Sequence, residues 1–177
     1  MRFLKYFHII SLWPFLCPFP LQAADPSLPD ITPVRSALVT VVIFNAQQQP
    51  LGSGQGFFID NQPYVITNYH VMANPALLGA AGAVVRTRQG REYPILAVTA
   101  ENRDADLIQL RVDIPESAIS YITVSSDGPT ASEPVFLLEE TRPNVESVRS
   151  GIITKIEDIP PRGSVFQTTI FISPGLS

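Results

Sequence analysis

From Ser36 onward the sequence is a succession of short Val- and Ile-rich runs, each closed by Gly, Pro, Asn or Asp. That punctuation constrains the fold more than any other feature, because a helix needs an uninterrupted apolar stripe whereas a strand needs only a few residues between turns. Seventeen prolines and ten glycines fall along the chain, and no stretch keeps a helical period. The expected class is all-β. Hydrophobic residues make up 45% of the 177 positions and charged ones 16%, enough apolar surface to offset chain entropy in a single packed domain.

The strands can be placed in order. Ala37 to Asn45, Gln55 to Ile59 and Tyr64 to Thr67 come first, the last two separated by a turn at Asp60, Asn61, Gln62 and Pro63. A helical turn is expected around Pro75 to Leu78. Ala83 to Arg88 and Glu92 to Thr99 then flank a Gln89-Gly90 turn, and Leu107 to Val112 is the sixth strand. Six strands with tight turns can close into a small barrel, which removes exposed edges. Residues 36–112 are therefore expected as a first barrel and the Pro-, Ser- and Asp-richer 113–133 as a crossing. Residues 134–177 hold three more strands, Pro134 to Leu138, Val145 to Ile156 and Val165 to Ile172, too few to close a second barrel.

Ahead of this region, residues 1–23 read as a secretory signal. Arg2 and Lys5 precede an apolar run from Phe7 to Leu16, and Ala23 is a small residue suited to cleavage. Pro14 interrupts the run, Pro18 and Pro20 follow it, and it is shorter than the roughly 20 residues of a membrane-spanning helix. The expectation is an exported protein, periplasmic or secreted, with no stable membrane insertion after cleavage. Residues 24–35, with three prolines and no periodicity, read as a linker.

Cys17 is the single cysteine and falls inside the signal, so the mature chain has neither a disulfide nor a thiol nucleophile. The formal charge is −4, and losing Arg2 and Lys5 with the signal leaves −6, which argues against nucleic acid as a partner. No phosphate loop, H-E-x-x-H string or calcium loop is present, and one remaining histidine makes a poor zinc site. No cofactor or metal is expected.

That remaining histidine, His70, follows a strand in Val65-Ile66-Thr67-Asn68-Tyr69-His70-Val71. Alone, it would read as a half-buried structural residue. Upstream stands Gly52-Ser53-Gly54-Gln55-Gly56-Phe57-Phe58-Ile59, which alone would be a hairpin turn. Downstream, Arg103-Asp104-Ala105-Asp106 enters the apolar Leu107-Ile108-Gln109-Leu110, and Ser173-Pro174-Gly175-Leu176-Ser177 closes the sequence. Each string alone is an ordinary turn. As an ordered set over Leu38 to Ser177 they resemble the trypsin-like (chymotrypsin-fold) serine peptidases, particularly the bacterial Deg/HtrA-type branch.

The resemblance implies a double β-barrel with the first barrel complete and the second partial. It also implies peptide-bond hydrolysis by a triad of His70, Asp104 and Ser177, with the Gly175 and Ser177 amides as oxyanion hole and a polypeptide as substrate. Asp104 is preferred over Asp106 because that alignment keeps Gln109 on the solvent face, although the choice between the two aspartates stays open. Asp106 stands where the family more often has a small residue, and Leu176 where it has Asn or Asp. With nothing following Ser177 in the sequence, the expectation is a C-terminally truncated serine endopeptidase, inactive in the 177-residue form. Two alternatives remain: a non-catalytic, peptidase-derived module that binds peptide, and an unrelated secreted barrel that binds a small ligand.

Overall fold

A computed structural model describes residues 30–73, 79–142 and 145–171. The signal (1–23), the helical turn expected near Pro75 and the Gly175–Ser177 segment lie outside the described residues. A short helix α1 (Thr32–Ala37) leads into β1 (Leu38–Asn45), β2 (Pro50–Phe58) and β3 (Tyr64–Asn68). After helix α2 (Tyr69–Ala73) come β4 (Ala80–Thr87), β5 (Glu92–Asn102) and β6 (Leu107–Val112). The last three strands are β7 (Pro134–Arg142), β8 (Val145–Ile159) and β9 (Gly163–Thr168).

Strands β1 to β6 close into an antiparallel barrel of order β1-β2-β3-β6-β5-β4, and β7, β8 and β9 form a separate three-stranded sheet. One whole barrel followed by a partial one is what the strand count implied. Two chemical features set the turns of the first barrel. Asp60 and Asn61 both take positive φ (53° and 49°), a conformation short polar side chains tolerate, and reverse the chain between β2 and β3. Gly90 at φ 79° does the same between β4 and β5, its N–H donating to the Thr87 carbonyl at 2.8 Å.

Alternation fills the barrel. Val39, Val41 and Ile43 of β1, Val65 of β3, Val85 of β4, and Ile108, Leu110 and Val112 of β6 point inward, with Phe58 of β2 and Ile114 completing a buried cluster. Tyr69, Val71 and Met72 of α2 pack against it from the end where β3 stops. The crossing is tied to the barrel as well: Ile59 bridges Ile122, and the Ile122 N–H donates to the Phe58 carbonyl at 3.0 Å.

Two expectations need correction. Residues 32–35, read as the end of a linker, form α1 together with Ser36 and with Ala37, which was expected to open the first strand. Its proline sits in the first turn, where the missing N–H is no loss, and the Asp30 carboxylate accepts the Thr32 N–H at 2.9 Å. The glycine-rich string, read as a bend before a strand, lies inside β2, where Gly52, Gly54 and Gly56 pair with Ile43, Val41 and Val39. Among the described residues no helix is long and apolar enough to cross a membrane.

Candidate active site

Strand β3 pairs with β6 as far as Asn68 opposite Leu107, and the chemistry gathers where that pairing ends. Past Asn68 the chain turns into α2, which carries His70. Past Leu107, toward the N-terminus, stands Asp106 in the left-handed region at φ 55°. Three consecutive residues of the β3–α2 junction converge on this one aspartate. The Tyr69 N–H donates to its carbonyl at 3.0 Å, and the Asn68 amide donates to the same carbonyl at 3.2 Å. The His70 N–H donates to Oδ1 at 2.9 Å, His70 Nδ1 meets Oδ2 at 2.7 Å, and the Asn68 amide reaches Oδ2 at 3.2 Å.

The aspartate is held from its own side too. Its N–H donates to the Arg103 carbonyl at 3.2 Å, and the Ala105 N–H donates to Asn102 Oδ1 at 3.0 Å, closing the turn that aims it. Arg103 is fixed by Glu101 at 3.0 Å and lies over the Tyr69 ring, 5.2 Å from its centroid.

Partial desolvation pushes the Asp106 carboxyl up, but the His70 N–H, the His70 ring and the Asn68 amide outweigh it and hold the group below the usual carboxylate range. An ionised carboxylate can only accept hydrogen bonds, so Nδ1 of His70 is the donor of the 2.7 Å contact. In the neutral ring that leaves Nε2 without a proton, able to take one from a hydroxyl. His70 keeps about half its side-chain surface in solvent (52%).

Asp104, the residue preferred from the sequence, is exposed on the turn between β5 and β6, and the carboxylate bonded to His70 is that of Asp106. The parity argument behind that preference meets a left-handed residue. Counting strand parity backward from Gln109 assumes extended backbone, and the left-handed Asp106 ends the alternation one residue before Leu107. Gln109 does face outward between the buried Ile108 and Leu110, as alternation along β6 requires. Asn68 received no role from the sequence, although it sits in the string that drew attention to His70.

The glycines of β2 support this arrangement. A Cβ on Gly54 would lie 2.8 Å from Val71 Cγ1 and closer still to Cγ2, so the bare backbone is what lets α2 settle beside β2. A Cβ on Gly56 would meet Val65 Cγ1 at 2.8 Å and the Ile66 carbonyl at 2.9 Å. Between them the buried Thr67 hydroxyl donates to the Gln55 carbonyl at 2.6 Å, pinning β3 to β2 just before the site.

Among known proteins, Protease Do-like 1, chloroplastic, of Arabidopsis thaliana is 29% identical over 136 residues, covering 72% of this chain and 30% of that protein. The chain thus spans less than a third of this curated relative. Among solved structures, Deg5 superposes with a TM-score of 0.63 at 19% identity, over 82% of this chain and 73% of that one. The HtrA-type protease AlgW with tripeptide does so with a TM-score of 0.56 at 20% identity, over 74% and 40%. At these identities the likeness is one of fold. The family model of the trypsin-like peptidase domain matches residues 54–177, from the glycine that admits α2 through His70 and Asp106, and a match over more than half of the sequence makes this chain a member of that family.

Proposed function

We propose that the chain is the peptide-hydrolysing domain of a serine endopeptidase acting on polypeptides. The observation that carries this reading is the His70–Asp106 pair, with Nδ1 committed to the carboxylate at 2.7 Å and Nε2 left for a substrate-side proton. His70 is the general base, Asp106 orients the imidazole and stabilises its cation, and Ser177 is the nucleophile. The backbone amides of Gly175 and Ser177 stabilise the tetrahedral oxyanion. This assignment follows the trypsin triad, whose general chemistry is well established.

In the acylation step the Ser177 oxygen forms a bond to the scissile carbonyl carbon while its proton passes to His70 Nε2. The peptide C–N bond then breaks, and the same proton is returned to the departing amine. Water repeats the sequence to release the acyl group. The leader of residues 1–23 supports export, and a mature protein beginning at Ala24 is the expected product of its cleavage.

Hydrolysis of an unfolded polypeptide by the protein isolated from its natural source tests the reading. Cleavage that is lost in His70→Ala supports it. Binding of the polypeptide without cleavage would favour a peptide-binding module on the same scaffold.

A further inference from the structure

The Asp106 carboxylate takes two of its hydrogen bonds from His70 itself, one from the ring it orients and one from the His70 main-chain N–H. A carboxylate can rotate about its terminal torsion, and the broad, two-fold character of that torsion offers little intrinsic resistance. The third donor is Asn68, whose amide nitrogen reaches both Asp106 Oδ2 and the Asp106 carbonyl at 3.2 Å. Asn68 is the last residue of β3, in register with Leu107, so its backbone is anchored in the barrel while its side chain is exposed. It therefore links the acid to the rigid sheet without passing through the histidine.

We propose that Asn68 is a positioning residue, clamping the Asp106 carboxylate to its own main chain so that the imidazole of His70 is held with the proton on Nδ1. The inference deepens the peptidase reading and rests on the His70–Asp106 pair being the working base and acid. Among the described residues, the charged groups on the turn that carries Asp106 are Arg103, which lies over the Tyr69 ring and is bound by Glu101, and Asp104. The described hydrogen bonds to the Asp106 carboxylate come from Asn68 and His70. Removing the Asn68 amide therefore removes, among the described residues, the donor to that carboxylate that does not belong to the base.

The test uses the full chain labelled with nitrogen-15 histidine, with His70→Ala identifying the resonances of His70 against those of His8. In the unaltered protein with the ring neutral, Nδ1 should be protonated and Nε2 bare, with a far-downfield Nδ1 proton. Asn68→Ala and the isosteric Asn68→Asp, which offers no amide donor, should both shift the ring to mixed tautomers and lose that proton signal. Their melting temperatures should stay within a few degrees of the unaltered protein, since the side chain is exposed.

Retention of the Nδ1–H signal in both variants would overturn the proposal. Asp106→Asn separates this failure from failure of the underlying reading. If Asp106→Asn loses the signal while the Asn68 variants keep it, the pair stands and the clamp does not. If Asp106→Asn also keeps it, both are wrong.

Discussion

Val71 fills the space that a side chain on Gly54 would occupy, with its Cγ1 methyl 2.8 Å from where that Cβ would stand. The contact joins the glycine-rich strand β2 to the helix that carries His70, one residue away. Here the missing side chain makes room for a close approach, and a substituent must displace either the helix or the strand. Gly54→Ala should therefore destabilise the domain by about 1–3 kcal/mol, the usual cost of overpacking, read as a lower denaturant midpoint at unchanged slope. The same variant should disturb the His70 resonances. Wild-type stability would show that α2 can shift freely.

A second expectation concerns pH. Asp106 is held below the ordinary carboxylate value of about 3.9, so the unfolded chain binds more protons than the folded one in that region. Its contribution is fully present above that value and is lost as pH falls through the lowered one. Comparing acid unfolding of the protein with Asp106→Asn isolates the effect, and the difference between them should narrow below about pH 4. With 42% of the side chain exposed, the contribution is small. A difference that widens with acidification would reverse the sign assigned here.

Thr67 offers a third test, on the strand that delivers Asn68 and His70. Its hydroxyl is buried in the barrel wall and donates to the Gln55 carbonyl at 2.6 Å. Thr67→Val keeps the shape and removes the donor, at an expected cost of about 0.5–1.5 kcal/mol. Equilibrium denaturation checks the magnitude, and no loss would mean that water replaces the hydroxyl at Gln55.

Much of this was legible in the residues because strands announce themselves by alternation and turns by chemistry. Leu107 to Val112 was bounded as observed, and in the turns at Asp60-Asn61 and Gln89-Gly90 it is Asp60, Asn61 and Gly90 that take positive φ. Proline was ambiguous: the same residue that ends a strand begins a helix, and the first four residues of α1 lie in a segment read as linker. At the site the residues singled out His70 and left two candidate aspartates, of which Asp106 is the one bonded to the ring. Two aspartates stand two residues apart, and which one turns left-handed is decided by donors arriving from Asn68, Tyr69 and His70, far away in the sequence. Gly54 is a similar case, since its reason lies in a helix that follows the next strand.

Covalent labelling of the serine most directly tests the central claim, that His70 and Asp106 serve a serine nucleophile. The protein from its natural source, treated with a fluorophosphonate and measured as intact mass, should carry one adduct, mapped to Ser177. In variants expressed in the same host, His70→Ala should abolish labelling and Asp104→Asn should leave its rate unchanged. Asp106→Asn should slow it by on the order of 10⁴-fold, the loss known for the trypsin triad. An unlabelled protein, or a labelling rate that follows Asp104 rather than Asp106, would contradict the account.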